Sequence, residues 1–212
     1  MCHSGAVDLR TWITTDLAAV RTRLRNGIVA HVPADRWTTR IETTTSDGAG
    51  ADHGASTGRP SSSIAGLLFH LSYHHDLAIN TAVLGRPPLL TEHRHALGIP
   101  TVAPAGGLAE REDPRIVEAL DTDALLDYAD AVIAATLDWM SHVAITAFDS
   151  IPDASWRIEQ EAGVRRDDVP WLHDMWSGKP VSWFVQWEAI GHGHTHVGEM
   201  TGLRGQLGHS PF

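Results

Sequence analysis

Apolar residues recur at intervals of three and four along four stretches of the chain. In the first stretch, over about residues 8–32, they form a single stripe of Leu9, Ile13, Leu17, Val20, Leu24 and Ile28. This spacing places side chains on one face of an α-helix, which turns once every 3.6 residues. Pro33 follows the stripe and marks the predicted end of the helix.

The same periodicity predicts helices over about residues 64–85, 122–148 and 181–207. The intervening connections, 34–62, 86–119 and 149–181, are long and carry most of the prolines. Residues 46–60 are rich in Gly and Ser and predict a mobile loop. A short helix is expected near 113–119, and residues 149–181 are expected to be irregular.

Four long amphipathic helices without a strand pattern predict an all-α protein. The expected architecture is an antiparallel four-helix bundle with long connections. A chain of 212 residues suits one domain, and no internal repeat divides it, so residues 1–212 are predicted to form that single domain.

Charge and composition narrow the possible partners. The net charge is −10 with neutral histidines, and Lys179 is the only lysine, so nucleic-acid binding is not expected. No apolar run approaches the ~20 residues of a membrane span, and the N-terminal residues do not resemble a signal peptide. Cys2 is the single cysteine and cannot form an internal disulfide. A cytoplasmic protein is the expectation.

Histidine is abundant, with 14 in the chain, and two pairs are spaced one helical turn apart. His70 and His74 lie in the second predicted helix, and His192 and His196 lie in the fourth. Residues at i and i+4 share a helix face, so each pair can supply half of a metal site. Chance spacing of surface histidines is the alternative, but the glycines around the second pair each cost a helix about 1 kcal/mol, which favours a functional pair.

A bundle can bring such pairs together at one ion. His70 or His74 from the second helix would join His192 and His196 from the fourth. Three neutral imidazoles with a free coordination position are typical of a catalytic metal site rather than a closed structural one.

The residues near these histidines have less specific roles. His194 has no histidine one turn away, so it is predicted to pack or to line a pocket, with an indirect role at the metal left open. Glu188 and Glu199 each lie within one turn of a ligand candidate and could accept a hydrogen bond from a ligand's second nitrogen. Solvent exposure is the alternative for both glutamates.

Tryptophan is concentrated late in the chain, where five of the eight residues fall between 156 and 187. Four of them are predicted to line a pocket next to the histidines: Trp171, Trp176, Trp183 and Trp187. Burial in the core explains them equally well.

Two stretches resemble the DinB-like (DinB/YfiT) metal-binding bundle superfamily. Residues 64–77, IAGLLFHLSYHHDL, resemble its leucine-rich helix with a His-Leu step. Residues 192–208, HGHTHVGEMTGLRGQLG, resemble its HxxxH helix, which is followed by Gly, Gln or Glu and a leucine-rich end. The match is closest to the mycothiol-dependent maleylpyruvate isomerase type, and it covers the whole chain only as an order of helices.

The resemblance implies a ligand set and a reaction class. It makes His70, His192 and His196 the ligands of a divalent metal, zinc first, with nickel, iron or manganese as alternatives. It implies a low-molecular-weight thiol such as mycothiol, an electrophilic substrate, S-transfer or isomerisation as the reaction, and a homodimer. The extra histidines His74 and His194 depart from the pattern.

Two other interpretations stay open. A non-catalytic bundle that binds a metal or an apolar small molecule explains the same residues, since some members of the superfamily have no known activity. His75-Asp76 also mimics the dyad of HD-type phosphohydrolases, with His31 and Asp121 as further ligands. That second interpretation leaves the histidines at 192–196 unexplained.

Overall fold

The computed structural model describes residues 8–41 and 62–210. Cys2 and the loop predicted at 46–60 lie outside the described residues. Over the described residues, the chain is helical with no strand, and the pairing is limited to an isolated antiparallel bridge between Ile41 and Ser62. The all-α prediction is confirmed for these residues.

Nine α-helices follow one another along the described chain. They are α1 Leu9–Leu24, α2 Ile64–Asp76, α3 Leu90–His93, α4 Pro114–Ala119, α5 Thr122–His142, α6 Ala154–Ala162, α7 Pro170–Trp176, α8 Val181–Trp183 and α9 His192–Gln206. Wider π-helical turns extend α1 (Arg25–Val29) and α2 (Leu77–Val83), and Phe184–Gly191 joins α8 to α9. The 3-10 turns are Ala34–Arg36 and Ile145–Asp149.

The sequence places the starts of the main helices by their caps. Asp8, Ser63 and Asp121 accept a backbone N–H from the first turns of α1, α2 and α5. The C-terminal ends differ more from the prediction. The first helical segment ends at Val29 instead of Val32, and α5 ends at His142 and is followed by a separate 3-10 turn.

The prediction of an irregular segment at 149–181 is wrong. That segment contains α6 and α7, and each has a local signal for its bounds. Asp153 caps α6, and Gly163 ends it with a positive φ of 68°. Pro170 opens α7 at the position where a missing N–H costs nothing. The helix expected near 113–119 is confirmed as α4.

The four long helices pack on one another in pairs: α2 contacts α5 and α9, and α1 contacts the same two helices. Arg10 near the start of α1 donates to the carbonyl of Met140 near the end of α5, so these two helices run in opposite directions. By contrast, Arg204 near the end of α9 donates to the Gly27 carbonyl after α1, and Gly193 lies against Val20. Thus α1 and α9 run in the same general direction.

Helix α2 occupies the centre of this arrangement, with all thirteen of its residues buried. Because every face of α2 is covered, its polar side chains depend on partners inside the protein, and Ser72 Oγ and His74 Nδ1 have no hydrogen-bond partner there. Among the described residues, no helix combines the length and the apolar character that crossing a membrane requires.

Candidate metal centre

Four histidine rings meet between α2 and α9. His70 and His74 come from α2, and His192 and His196 come from the first turns of α9. The ring centroids of His70 and His196 are 4.9 Å apart, and those of His74 and His192 are also 4.9 Å apart. The two helices are antiparallel here, so the two i, i+4 pairs face each other turn by turn.

The first candidate ligand set is His70, His192 and His196. Their ligand nitrogens all lie within 4.8 Å of one another. His70 and His196 are each 7% exposed, so the set is largely withdrawn from water. The structure therefore brings together the three histidines that the resemblance implies as ligands, with the spacing alternative, His74, beside them.

Hydrogen bonds orient two of these rings. Nδ1 of His70 lies 3.0 Å from the Gly107 carbonyl oxygen, which can only accept, so Nδ1 carries the proton and Nε2 keeps its lone pair. Nδ1 of His196 lies 2.7 Å from a carboxylate oxygen of Glu199 and donates in the same way. A metal-binding histidine typically donates its second N–H to a carbonyl or carboxylate, and both rings fit that pattern.

The third ring connects the set to a second group. Nε2 of His192 lies 2.7 Å from Nε2 of His196. Nδ1 of His192 points the other way, and lies 3.7 Å from Oε2 of Glu188. The second candidate set contains His74, Glu188 and His192, again with ligand atoms within 4.8 Å.

Glu188 lies inside the protein rather than at the surface, with a relative exposure of 1%. Its Oε1 accepts a hydrogen bond of 2.8 Å from the Trp176 indole N–H. Its Oε2 lies 3.5 Å from Nδ1 of His74 and has no hydrogen-bond partner. Buried polar atoms without partners cost free energy, and they are the feature that a bound cation would relieve.

Burial favours the neutral form of two rings in the cluster, His70 and His192. It lowers the pKa of His70 to about 3, and the neighbouring His74 adds to the effect. Burial also lowers the pKa of His192 well below its ordinary range, with further contributions from His74 and His196. Neutral imidazole is the form that binds metal ions, so at neutral pH these two rings need lose no charge to bind one.

His194 lies apart from this cluster. Its Nδ1 accepts a hydrogen bond of 3.4 Å from the guanidinium of Arg23 on α1. Burial and Arg23 lower its pKa. It therefore faces a different helix from its neighbours at 192 and 196, as the helical spacing predicts.

The four late tryptophans have different positions. Trp171 stacks over His74 with a centroid distance of 6.0 Å, and Trp176 is buried beside Glu188. Trp187 is 46% exposed and lines a cleft next to His192 and His196. Trp183 instead packs on Phe184 and lies under the ammonium of Lys179. Three of the four thus lie around the histidines.

The cleft gives one side of the cluster an opening. Its volume is about 510 Å³, and its described lining includes Leu67, Glu110, Trp187, His192, His196 and Glu199. A small molecule would fit in a space of this size. His192 and His196 of the first set border this cleft, whereas the unpartnered atoms of the second set are shielded from solvent.

The dyad at His75 and Asp76 lies on another side of α2. Asp76 accepts hydrogen bonds from the side chain of Asn80, the hydroxyl of Tyr128 and the backbone N–H groups of Leu89 and Leu90. His75 pairs with Thr136. Neither residue belongs to a group of potential ligands among the described residues.

Two features of the site could not be found by spacing. The carbonyls of Gly107 and Leu108 orient His70 and His74, and they come from the connection between α3 and α4. Gly107 has a φ of +86°, and a Cβ there would meet Phe69 at 2.3 Å, so only glycine fits this close approach. The Gly106-Gly107 pair was the only signal in the sequence.

Comparison with known proteins finds no matching family model, no matching curated protein and no matching solved structure. The resemblance to the DinB-like superfamily therefore stays a prediction. What the structure shows is that His and Glu side chains lie close enough together to hold a metal ion.

Proposed function

We propose that this protein is a divalent-metal-dependent enzyme whose ion is held by His70, His192 and His196. The observation that carries the proposal is the hydrogen bonding of the rings. Gly107 and Glu199 accept the Nδ1 protons of His70 and His196, which directs the Nε2 lone pairs of both rings into the cluster. Chance spacing of histidines would not explain this shared orientation.

Zinc is the first choice of metal. Three imidazoles suit zinc, and they suit iron and nickel as well, whereas manganese prefers oxygen ligands. Three protein ligands leave one of the four positions of a tetrahedral zinc ion free for another molecule. That molecule would reach the ion through the cleft beside His192 and His196.

The architecture we propose is a four-helix bundle built from the long helical segments. The pairs α1/α5 and α2/α9 would run antiparallel, while α1 and α9 run together. The contacts of Arg10 and Arg204 support the directions of α1, α5 and α9, and the facing histidine pairs support the direction of α2 relative to α9. Ligands from facing helices of a bundle commonly meet at one metal.

A low-molecular-weight thiol, mycothiol among them, is the molecule we assign to the free position. A bound zinc ion lowers the pKa of a thiol, so that the thiolate nucleophile is available at neutral pH. Cys2 is the only cysteine of the chain and is a poor candidate for the nucleophilic thiol, so we assign the thiol to a separate molecule. The exposed indole of Trp187 would pack on the apolar part of a molecule in the cleft.

The proposed reaction is S-transfer to an electrophile, or addition to and release from an activated double bond during isomerisation. Glu199 and Gly107 would keep the rings of His196 and His70 in place during this chemistry. The resemblance of residues 64–77 and 192–208 supports this reaction class. It also supports action as a homodimer in the cytoplasm.

A bundle that only binds the metal is the second candidate. The complete hydrogen bonding of Asp76 disfavours the phosphohydrolase alternative.

Cobalt substitution tests the proposal directly. Metal-free protein would be titrated with Co²⁺, and thiols including mycothiol would then be added while the visible spectrum is recorded. We expect tetrahedral Co²⁺ bands at saturation and a new sulfur-to-cobalt charge-transfer band with thiol. The proposal fails if Co²⁺ does not bind in at least stoichiometric amount. Metal binding without a thiol band or S-transfer would instead identify a non-catalytic binder.

A further inference from the structure

His192 faces two different groups with its two ring nitrogens. Nε2 points to the cleft-side set and lies 2.7 Å from His196. Nδ1 points into the protein toward Glu188 Oε2, at 3.7 Å, and has no hydrogen-bond partner. One ring therefore belongs to both candidate ligand sets.

The second set consists of acceptors that face one another. Leu108 accepts the Nε2 proton of His74 at 2.9 Å, so in the neutral form that binds a metal the lone pair of this ring is on Nδ1. This lone pair lies 3.5 Å from Oε2 of Glu188, which is a carboxylate oxygen without a partner.

Nδ1 of His192 completes the group. Glu199 takes the Nδ1 proton of His196, so Nε2 of His196 must accept from His192, and Nδ1 of His192 is left bare. In the metal-free protein, three buried atoms without a hydrogen-bond partner thus converge: Nδ1 of His74, Oε2 of Glu188 and Nδ1 of His192.

We propose that His74 Nδ1, Glu188 Oε2 and His192 Nδ1 hold a second divalent cation, so that His192 bridges two ions. The inference rests on the proposed function, because the first ion occupies the other nitrogen of the same ring. Two imidazoles and one carboxylate are a known zinc ligand set. Trp176 and Leu108 hold Glu188 and His74 in place, as partners of metal ligands do.

The charges balance when both ions are present. To bind two ions, His192 gives up its remaining ring proton to the solvent and becomes an imidazolate with a charge of −1. Together with the carboxylate of Glu188, this offsets the +2 charge of the buried ion. Metal binding by protonated ligands releases protons, so the second ion is accompanied by one proton from His192.

The two ions would differ in access. The first lies beside the cleft, where another molecule can reach it. The ligand atoms of the second are shielded from solvent, with the ring of Trp171 stacked over His74. The second ion is therefore withdrawn from solvent and holds α2 and the segment before α9 together, so it should exchange slowly.

Metal stoichiometry tests the inference. Protein loaded with excess Zn²⁺ and desalted would be assayed by elemental analysis as the wild type and as His74→Leu, Glu188→Gln, His196→Leu and His75→Leu. We expect two zinc ions in the wild type and one in His74→Leu and Glu188→Gln. His196→Leu should also retain one. The matched control, His75→Leu, removes a buried histidine next to His74 and should keep two.

The outcomes separate the two proposals. One ion in the wild type that persists in His74→Leu and is lost in His196→Leu overturns the second site and leaves the first. One ion that is lost in His74→Leu but kept in His196→Leu overturns both the bridge and the first ligand set. No bound zinc overturns both. If a variant does not fold, a Co²⁺ titration of the wild type followed by EPR still tests the bridge. Two Co²⁺ ions joined by one imidazolate show magnetic coupling once the second equivalent has bound. Two equivalents of Co²⁺ without coupling overturn the bridge.

Discussion

Helix α2 carries two buried polar clusters that differ in how their acceptors are satisfied. On one side, the carboxylate of Asp76 receives hydrogen bonds from Asn80, Tyr128 and two backbone N–H groups. On the other side, Nδ1 of His74 lies 3.5 Å from Oε2 of Glu188, and neither atom has a hydrogen-bond partner. Both carboxylates are almost fully buried, at 0% for Asp76 and 1% for Glu188.

The difference separates a structural cluster from a binding cluster. A buried carboxylate surrounded by donors stabilises the fold and needs nothing more. A buried group of acceptors without a donor carries an unrelieved desolvation cost, and a cation would relieve it. Four measurements can test this contrast.

The largest effect is expected for Asp76→Leu. Several buried donors would lose their acceptor, at about 1–3 kcal/mol each, so the free energy of unfolding should fall by on the order of 3–5 kcal/mol. Urea denaturation of the metal-free protein measures this fall in the free energy of unfolding. Zinc stoichiometry of the folded variant should be unchanged. Loss of zinc from a folded Asp76→Leu protein would make Asp76 a ligand and revive the phosphohydrolase alternative.

His70→Leu should have the opposite effect, with a large change in zinc binding and a smaller change in the stability of the metal-free protein. Removing a ligand nitrogen should weaken Zn²⁺ binding at the first set by more than the ~100-fold that loss of a ligand's partner can cost. The zinc-induced rise in melting temperature should shrink accordingly. Isothermal titration with Zn²⁺ gives the affinity, and His75→Leu is the control. Equal affinity in His70→Leu and wild type would remove His70 from the site.

Stability of the metal-free protein should fall on acidification. Burial lowers the pKa of His75 from 6.5 to about 4, so below pH 6.5 the unfolded chain binds a proton that the folded chain excludes. This contribution to stability is lost as the pH falls from 6.5 toward 4, and it amounts to about 2 kcal/mol at pH 5. Denaturation curves at pH 7 and pH 5 measure the loss. In His75→Leu the loss should be smaller by that amount, and an unchanged loss would contradict the buried neutral state of His75.

The smallest effect is expected for Glu199→Gln. The amide oxygen can still accept the Nδ1 proton of His196, but without the carboxylate charge, so zinc affinity should drop about tenfold. Competition with a chelator of known affinity measures this change. Glu159→Gln on α6 serves as an exposed glutamate control. No difference between the two variants would show that Glu199 does not support His196.

Several features of the site follow from spacing alone. Residues at i and i+4 share a helix face wherever the chain is helical, so the sequence is enough to pair His70 with His74 and His192 with His196. The same rule separates His194, which lies beside Arg23. The helix bounds are less predictable, since the π-helical turns at Leu77–Val83 and Phe184–Gly191 leave no clear periodic signal.

Glu188 shows where spacing stops being informative. Its position one turn before His192 is equally compatible with solvent and with the interior. Glu188 lies in the interior, where it accepts a hydrogen bond from the indole N–H of Trp176. Trp176 belongs to α7, a helix in a segment predicted to be irregular. Contacts between distant segments of this kind have no local signature in the sequence.

The helical class and the four histidines that could meet are readable from the amino-acid sequence, because they depend on residues within one or two turns. Which atoms face one another depends instead on the folded chain. The carbonyls of Gly107 and Leu108 orient His70 and His74, and the packing of α2 against α9 leaves His74, Glu188 and His192 without donors. These arrangements arise from long-range packing, which places groups from separate parts of the chain within hydrogen-bond distance.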